Sequence, residues 1–283
     1  ARMNYRTATP SAVSWDPKRA AAWKKWFPVI QRAAQVLSDR MVELAAVGPG
    51  DRVLDVATGL GEPAVTAARK VGPGGHVEGV DLSAGMLDFA RERVRELGLG
   101  NIVFGEGDAA ALDVPAKSFD SVLCRWGLMF MGDVAVPLRG FHAALKPGGR
   151  LVAAVWGPAD NAPALSLSGR VVLAHLDMPP PDEGAGTPFG LADVDDLMAR
   201  VEAAGFSDVR GEWVPIHFVF QSCDEYARMR RERSVPLAAR IAHFPSNRRE
   251  AAWRAVARAA QAYADADGVV RMENGAFCVS ARR

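Results

Sequence analysis

The sequence predicts an α/β fold built on a doubly wound, mostly parallel sheet of seven strands with helices on both faces. The first observation is a repeated phrase, seen as VGPGDRVLDVA from Val47, VGPGGHVEGVD from Val71 and LKPGGRLVAAVW from Leu145. Proline cannot continue a helix and glycine allows a positive φ, so each phrase predicts a helix end, a turn and a strand. The second observation is that the apolar runs are continuous, which is typical of parallel strands buried on both faces. The third is that helical stretches separate these runs, as in repeated βαβ units.

The chain opens with a predicted N-terminal helical lid, residues 1–47. Apolar residues recur at helical spacing through residues 18–46, and Pro28 is expected to kink or divide this helix. Residues 1–31 carry an excess of basic side chains. This pattern favours a solvated helix face over a surface for an acidic partner.

The predicted core covers residues 48–220. Its first helices are expected at 62–70, 84–97 and 134–146, between strands that include NIVFGEGD from Asn101 and FDSVLCRW from Phe119. Beyond Trp156 the pattern loosens into a Pro/Gly loop, a helix over 191–204 and a strand over 208–220.

Residues 221–268 are predicted to form a cap of two helices, and residues 269–283 the last strand of the core. Because the cap interrupts the last two strands, we expect it near the mouth of the site. It carries four arginines in the segment YARMRRER, from Tyr226 to Arg233. A charge run of this kind usually forms a solvated face, and the alternative is an anionic substrate.

Composition limits the classes of function. The 283 residues carry a net charge of +1 and are 49% hydrophobic, which gives no sign of nucleic-acid binding. There is no apolar run that could span a membrane and no signal peptide. The three cysteines lack metal spacing, and no acidic cluster beyond the strand ends suggests a metal. We therefore expect a cytoplasmic protein with buried thiols, a small-molecule partner, no nucleic acid and no metal, with a homodimer left open.

A glycine turn follows the first predicted strand, in the segment VLDVATGLGEPAVTAA that begins at Val53. Gly59, Gly61 and Ala64 fit the dinucleotide fingerprint G-x-G-x-x-G/A. Ligands of such sheets bind beyond the carboxyl ends of the strands. The first three strands end with Asp55, Asp81 and Asp108, so three carboxylates are expected at one edge.

This row of acids separates two cofactors. NAD would place a pyrophosphate beside Asp55, where like charges in a low-dielectric cleft cost several kcal/mol. S-adenosylmethionine has no phosphate. It offers a sulfonium, an ammonium group, a ribose diol and an adenine amino group, and carboxylates suit each of these.

At these residues the chain resembles the class I S-adenosylmethionine-dependent methyltransferases. The resemblance covers roughly residues 50–157, through VLDVATGLGEP, GVDLSAGML, GEGDAAAL, FDSVLCRWGLMFM and LKPGGRLVAAVW. It is greatest to the small-molecule group that includes the ubiquinone and menaquinone C-methyltransferases, and it implies a Rossmann-like core. The cofactor residues it implies are Asp55, Ala57, Thr58, Gly59 and Gly61 for the methionine part, Asp81, Leu82 and Met86 for ribose and adenine, Gly107, Asp108 and Ala109 for adenine, and backbone near Arg125 and Trp126 for the amino end. Ala57 replaces the family's usual first glycine, which is tolerable if its φ is negative.

An activated sulfonium needs no protein nucleophile, and a general base is required only if the acceptor must lose a proton. His217 and His142 are the candidate bases. The candidate pocket residues are Trp15, Trp23, Trp26, Met129 and Phe218, and ordinary helix packing is the alternative role for the tryptophans.

These candidates predict direct in-line methylation of a small, largely apolar or aromatic acceptor in secondary metabolism, with S-adenosylhomocysteine as the product. O-methylation is favoured and C-methylation comes second. The alternatives are an NAD-dependent oxidoreductase, which leaves Asp55 and Asp108 unexplained, and a non-catalytic S-adenosylmethionine-binding protein. A nucleic-acid methyltransferase ranks below these because no stacking and basic platform is evident.

Overall fold

The computed structural model describes residues 17–184 and 186–283, so the candidate Trp15 lies outside the described residues. Within them, the strands form one sheet in the order β3-β2-β1-β4-β5-β7-β6, and β7 is antiparallel to both of its neighbours. The strands are β1 Arg52–Val56, β2 His76–Asp81, β3 Ile102–Glu106, β4 Phe119–Arg125, β5 Leu145–Trp156, β6 Ser207–Phe220 and β7 Val270–Arg282. The predicted fold class is confirmed.

Helices cover the sheet in two layers. One layer places α1 against α2 and α3, and in the other α4 packs on α6. The helices are α1 Pro17–Leu44, α2 Ala64–Val71, α3 Ala84–Glu96, α4 Ala135–Ala144, α5 Pro163–His175, α6 Val194–Ala203, α7 Cys223–Arg233, α8 Val235–Arg240 and α9 Ser246–Ala260. Sequence analysis missed α5, and it expected two helices where α7, α8 and α9 form.

The N-terminal helix α1 is continuous and runs across β4 to β7. Pro28 lies on the exposed side of the helix and does not divide it. The opposite side buries Leu37 and Met41 completely. Near its end, Arg40 holds Glu212 of β6 through two hydrogen bonds, with Nη2 2.8 Å from Oε2. Apolar burial and this ion pair together fix α1 on the sheet.

The antiparallel pair of β6 and β7 extends past the carboxyl edge of the parallel strands. Trp156, the last residue of β5, pairs with Ala276, whereas β6 and β7 continue pairing to Phe220 and Val270. This extension of six residues per strand is roughly 20 Å at the usual rise. Helices α7 to α9 connect β6 to β7. They therefore lie beyond the edge where β1, β2 and β4 end.

Two non-glycine residues adopt left-handed backbone at that edge. Ala57, after β1, has φ of 59°, and Trp126, after β4, has φ of 57°. The condition under which Ala57 is tolerable without strain, a negative φ, is therefore not met. Such conformations cost of order 1–3 kcal/mol and concentrate at functional sites. A Cβ on the neighbouring Gly127 would lie 2.4 Å from the Ala57 Cβ, so glycine is required there.

Gly127→Ala tests this contact. We expect the added methyl group to lower the free energy of unfolding by about 1–3 kcal/mol, as for an overpacked core. Adding Ala57→Gly removes both the opposing methyl group and the left-handed strain, so the double variant should recover most of the loss. Urea denaturation of both single variants and the double variant measures the coupling. A double variant no more stable than Gly127→Ala would make the Cys124 sulfur, 3.1 Å from the same position, the real obstacle.

Candidate functional site

The carboxyl ends of β1 and β2 bring Asp55 and Asp81 to one edge, beside the glycine turn. The register pairs Val56 with Val80, so the two strands end together. Gly59 and Gly61 have φ of 54° and 91°, which bends the chain tightly between β1 and α2. The sequence-based placement of this turn and these two acids at a shared edge is what the structure shows.

Asp55 is the central group of this edge, and it is completely buried. Its Oδ2 accepts hydrogen bonds from Thr58 Oγ1 at 2.6 Å and from the Ala64 backbone N–H at 3.0 Å. Its Oδ1 is buried and has no partner among the described residues. Burial raises the pKa of Asp55 to about 7, although the Thr58 bond and the positive charge of Arg125 oppose this shift.

Asp81 ties the glycine turn to the start of α3. It accepts from the Gly59 backbone N–H at 2.8 Å and from the Ser83 N–H at 2.9 Å. Burial raises its pKa as well, against these bonds. Met86, in the first turn of α3, reaches over Gly59, where a Cβ would lie 3.3 Å from its methyl carbon. Thus Leu82 and Met86 border the same turn as Asp81.

Asp108 differs from the other two acids. It is half-buried and accepts from the Ala110 N–H at 2.9 Å, capping a short 3-10 helix over Ala109–Ala111. Gly107, just before it, donates its N–H to the Asp81 carbonyl at 3.0 Å. The loop of Gly107, Asp108 and Ala109 is thereby fixed beside the end of β2.

Glu62 is a further buried acid, in the turn between β1 and α2, and both of its carboxylate oxygens are paired. Its Oε1 accepts from Arg93 Nη2 at 2.7 Å, and its Oε2 accepts from Thr66 Oγ1 at 2.7 Å. Arg93 also lies over the Phe27 ring of α1. Sequence analysis missed Arg93, and no local signal could have found it, because it pairs with a residue 31 positions away.

Arg125, the last residue of β4, joins the site to α1. Its guanidinium donates to Ser38 Oγ at 2.6 Å, to Gln31 Oε1 at 3.2 Å and to the Ala34 carbonyl at 3.4 Å. Burial lowers the pKa of Arg125, and the negative charges of Glu62 and Asp55 act in the opposite direction. A partly buried cation thus holds the helix above the strand ends and faces the buried acids.

Trp126 gives the edge an aromatic wall. Its indole stacks on that of Trp156, with ring centroids 4.3 Å apart and 15° between the planes. Its Nε1 is buried and has no partner among the described residues. Trp156 was missed, although it ends β5 and the rule that found the other strand ends applies to it. Phe218 lies beyond it, at 6.4 Å between ring centroids.

The remaining candidates lie in two places. Met129 is buried in the short 3-10 helix after β4. Trp26 donates to Glu232 of α7 at 2.7 Å, and Arg233 of α7 lies 3.7 Å over the Trp23 ring. These two tryptophans therefore connect α1 to α7.

Neither histidine faces the acidic edge. His217 projects from β6 on the side opposite Phe218, beside Glu273, with 63% of its side chain exposed. His142 lies near the end of α4 and packs edge-on against Phe206, beside Gly205. The end of α4 leads into the start of β5, so His142 is at the opposite edge of the sheet.

Two features are absent from the part of the chain that the structure describes. No group of three or more metal-binding side chains was found there. No described helix is long and apolar enough to cross a membrane.

Arg125 can be tested without any ligand. Arg125→Met leaves the polar groups of α1 unpaired and removes the positive charge near Asp55, so we expect a loss of about 2–4 kcal/mol in unfolding free energy. Arg125→Lys keeps the charge but cannot repeat three diverging hydrogen bonds, so its loss should be smaller. Urea denaturation and proteolysis within α1 measure both effects. Arg40→Met, which breaks a different ion pair of α1 that lies away from the acidic edge, is the control. Equal losses in Arg125→Lys and Arg125→Met would contradict the role of charge.

Comparisons with known proteins agree with this geometry. A methyltransferase-domain family model matches residues 48–169. The ubiquinone/menaquinone biosynthesis C-methyltransferase of Teredinibacter turnerae is 37% identical over 122 residues, or 43% of this chain and 49% of that protein. The demethylmenaquinone methyltransferase of Listeria welshimeri is 40% identical over 144 residues, or 48% of this chain and 61% of that protein. The matches thus span about half to three-fifths of these relatives.

Solved structures show the same fold. The crystal structure of a protein from Bacillus halodurans C-125, named as a methyltransferase, superimposes with a TM-score of 0.55 at 23% identity. The match covers 87% of this chain and 97% of that one. At this identity the likeness concerns the fold alone. The family match identifies residues 48–169 as a methyltransferase domain, and the structural likeness agrees with its fold.

Proposed function

We propose that the protein transfers a methyl group from S-adenosylmethionine to a small, largely apolar acceptor of the phenol or quinol class. The unpartnered Oδ1 of Asp55 carries this proposal. A buried carboxylate oxygen without a hydrogen bond is costly, and a cationic ligand supplies the missing partner. A pyrophosphate would instead add like charge at this point, which argues against NAD.

The residues around Asp55 fit the other parts of the cofactor. In this proposal the methionine end of the cofactor lies against the turn formed by Ala57, Thr58, Gly59 and Gly61. The Trp126 indole N–H, which has no partner among the described residues, is available to the carboxylate of that methionine end. When bound, the cofactor supplies a methyl group already activated on a sulfonium.

Residues at and after the ends of β2 and β3 are proposed to hold the ribose and adenine of the cofactor. Asp81 keeps lone pairs beyond its two backbone bonds, which suit ribose hydroxyls. Met86, with Leu82 beside it, and the loop of Gly107, Asp108 and Ala109 are assigned to the adenine side.

The acceptor is assigned by the character of the surrounding side chains. Trp126, Met129 and Phe218 are apolar, and both candidate histidines lie away from the edge. A phenol or quinol ring suits such walls and ionises without a strong protein base. The two relatives are a C-methyltransferase and a demethylmenaquinone methyltransferase, so they favour carbon over the oxygen that sequence analysis ranked first.

The raised pKa of Asp55 predicts how cofactor affinity depends on pH. The carboxylate must be ionised to attract the cofactor's positive end, so affinity should rise as pH increases toward about 7. Between pH 5.5 and 7 we expect an increase on the order of tenfold, while an amino group stays protonated. Calorimetric titration with S-adenosylhomocysteine checks this. Asp55→Asn should bind weakly with a flat pH profile, and an equally steep profile in Asp55→Asn would refute the assignment.

The function itself is tested in two stages. Freshly purified protein is denatured, and the released small molecules are identified by mass spectrometry. The protein is then incubated with S-adenosylmethionine and 1,4-naphthohydroquinone, catechol or phenethylamine, and S-adenosylhomocysteine is measured. We expect turnover with the first two compounds and little with the amine, and NMR of the product separates C- from O-methylation.

The outcomes separate the alternatives. Binding of S-adenosylmethionine without turnover on any acceptor would support a non-catalytic binding protein. Release of NAD would support an oxidoreductase and overturn the argument from Asp55. Methylation of the amine alone would overturn the proposed acceptor class.

A further inference from the structure

A cleft of about 320 Å³ lies between the end of α1 and the sheet, away from the proposed cofactor site. Its place along the strands is given by Arg150 of β5, which pairs with Ser121 near the start of β4, whereas Arg125 at the cofactor edge ends that strand. Four arginines from four elements line the cleft: Arg40 of α1, Arg150 of β5, Arg210 of β6 and Arg282 of β7. The cleft therefore belongs to the opposite edge of the sheet.

The strand register brings three of these arginines to one face of the sheet. Arg150 lies directly opposite Arg282 in the pair of β5 and β7, and Arg210 lies opposite Ser280, two residues before Arg282. Opposed residues share a face, and so do residues two apart along a strand. Like charges placed directly opposite each other destabilise a sheet. The pairing of Arg150 with Arg282 therefore has a cost that negative charge in the cleft would offset.

A β-bulge turns Arg210 toward this face. Ser207 opposes Arg282 and Arg210 opposes Ser280, so the pairing advances by three residues along β6 and by two along β7. Without the extra residue, Val209 would oppose Ser280 and Arg210 would point to the other face. Bulges of this kind commonly redirect a side chain at a functional position.

Carboxylates compensate Arg40 and Arg282. Arg40 donates from Nη2 to Glu212 Oε2 at 2.8 Å and from Nη1 to Glu43 Oε2 at 3.1 Å. The Nε of Arg282 lies 3.4 Å from Asp208 Oδ2. Glu43 and Asp208 also line the cleft, but each is paired with one of these two arginines. The net charge of the described groups in and beside the cleft is therefore positive.

The other two arginines have no carboxylate partner among the described residues. Arg150 donates from Nη1 to the Leu44 carbonyl at 3.3 Å, at the end of α1, which leaves its other N–H groups available. Arg210 is exposed and makes no hydrogen bond or ion pair with another described residue. Ser280, whose hydroxyl can donate or accept, lines the cleft with them.

We propose that this cleft binds a soluble phosphate compound, with Arg150 and Arg210 as the anion-binding residues and Ser280 as a further hydrogen-bond donor. The proposal is independent of the proposed methyl transfer. Guanidinium N–H groups match phosphate oxygens in geometry, and a phosphate monoester with a charge of about −2 balances two uncompensated arginines. The volume of the cleft is at the lower end of the range for small-molecule sites.

An ordinary solvated surface makes a different prediction. Such a surface attracts phosphate and carboxylate dianions alike, without saturation, and removal of any one exposed arginine has the same small effect. The chemical class of the anion and the position of the arginine are therefore the two variables to test.

The test titrates pyrophosphate calorimetrically into the full chain at constant ionic strength, and malonate serves as the small dicarboxylate for comparison. We expect saturable binding of pyrophosphate at one site, at least about tenfold tighter than that of malonate, because tetrahedral phosphates offer more acceptor oxygens to diverging arginines. The affinity should fall as salt is added. No S-adenosylmethionine is present, so failure of the proposed methyl transfer would leave this result unchanged.

Three variants complete the experiment. Arg210→Gln should weaken pyrophosphate binding about tenfold, as for the loss of one charged hydrogen bond, and Arg210→Lys should lose less. Arg139→Gln is the control, because Arg139 is an exposed arginine of α4, in the other helix layer, and bonds to no described residue. It should bind as the wild-type protein does. Unsaturable binding, equal affinity for malonate, or an equal loss in Arg139→Gln would overturn the proposal.

Discussion

The buried carboxylate of Asp55 is the constraint on which the site depends. A charge in the middle of a sheet edge is strongly disfavoured unless other groups compensate it. Thr58 and the first N–H of α2 bond one of its oxygens, which fixes the shape of the glycine turn. The positive charge of Arg125 acts on the same carboxylate, and Arg125 in turn depends on α1 for its hydrogen bonds. The position of the N-terminal helix is therefore linked to the charge state of the site.

The order of the strands explains why these groups meet. The order in which the chain adds parallel strands reverses between β1 and β4, so β2 and β3 lie on one side and β5 on the other. In such folds the crevice at this reversal binds the ligand. Asp55 is the next-to-last residue of β1 and Arg125 is the last residue of β4, and each strand is followed by a residue in left-handed backbone. Ala57 and Gly127 then face each other so closely that one of them must lack a side chain. Electrostatic and steric requirements thus act on the same few residues.

The antiparallel pair of β6 and β7 extends the sheet beyond the parallel strands. Because β6 and β7 continue beyond β5, they carry aromatic residues and α7 past the edge where the proposed cofactor site lies. The tryptophans of α1 meet α7 there through Glu232 and Arg233.

The sequence alone determined the fold class, the glycine turn and the acids near the strand ends. Parallel strands bring their carboxyl ends to one edge of a sheet whatever the order of the strands. It could not decide which way a strand residue faces. His217 and Phe218 are neighbours in the sequence, yet successive residues of a strand point to opposite faces, so one is exposed and the other buried. Nor could it assign the partners of Glu62, Arg93 and Arg125, since these contacts join residues 31 to 94 positions apart. Such contacts exist only once helices have packed on the sheet, and for that reason the tertiary structure decided the electrostatics of the site.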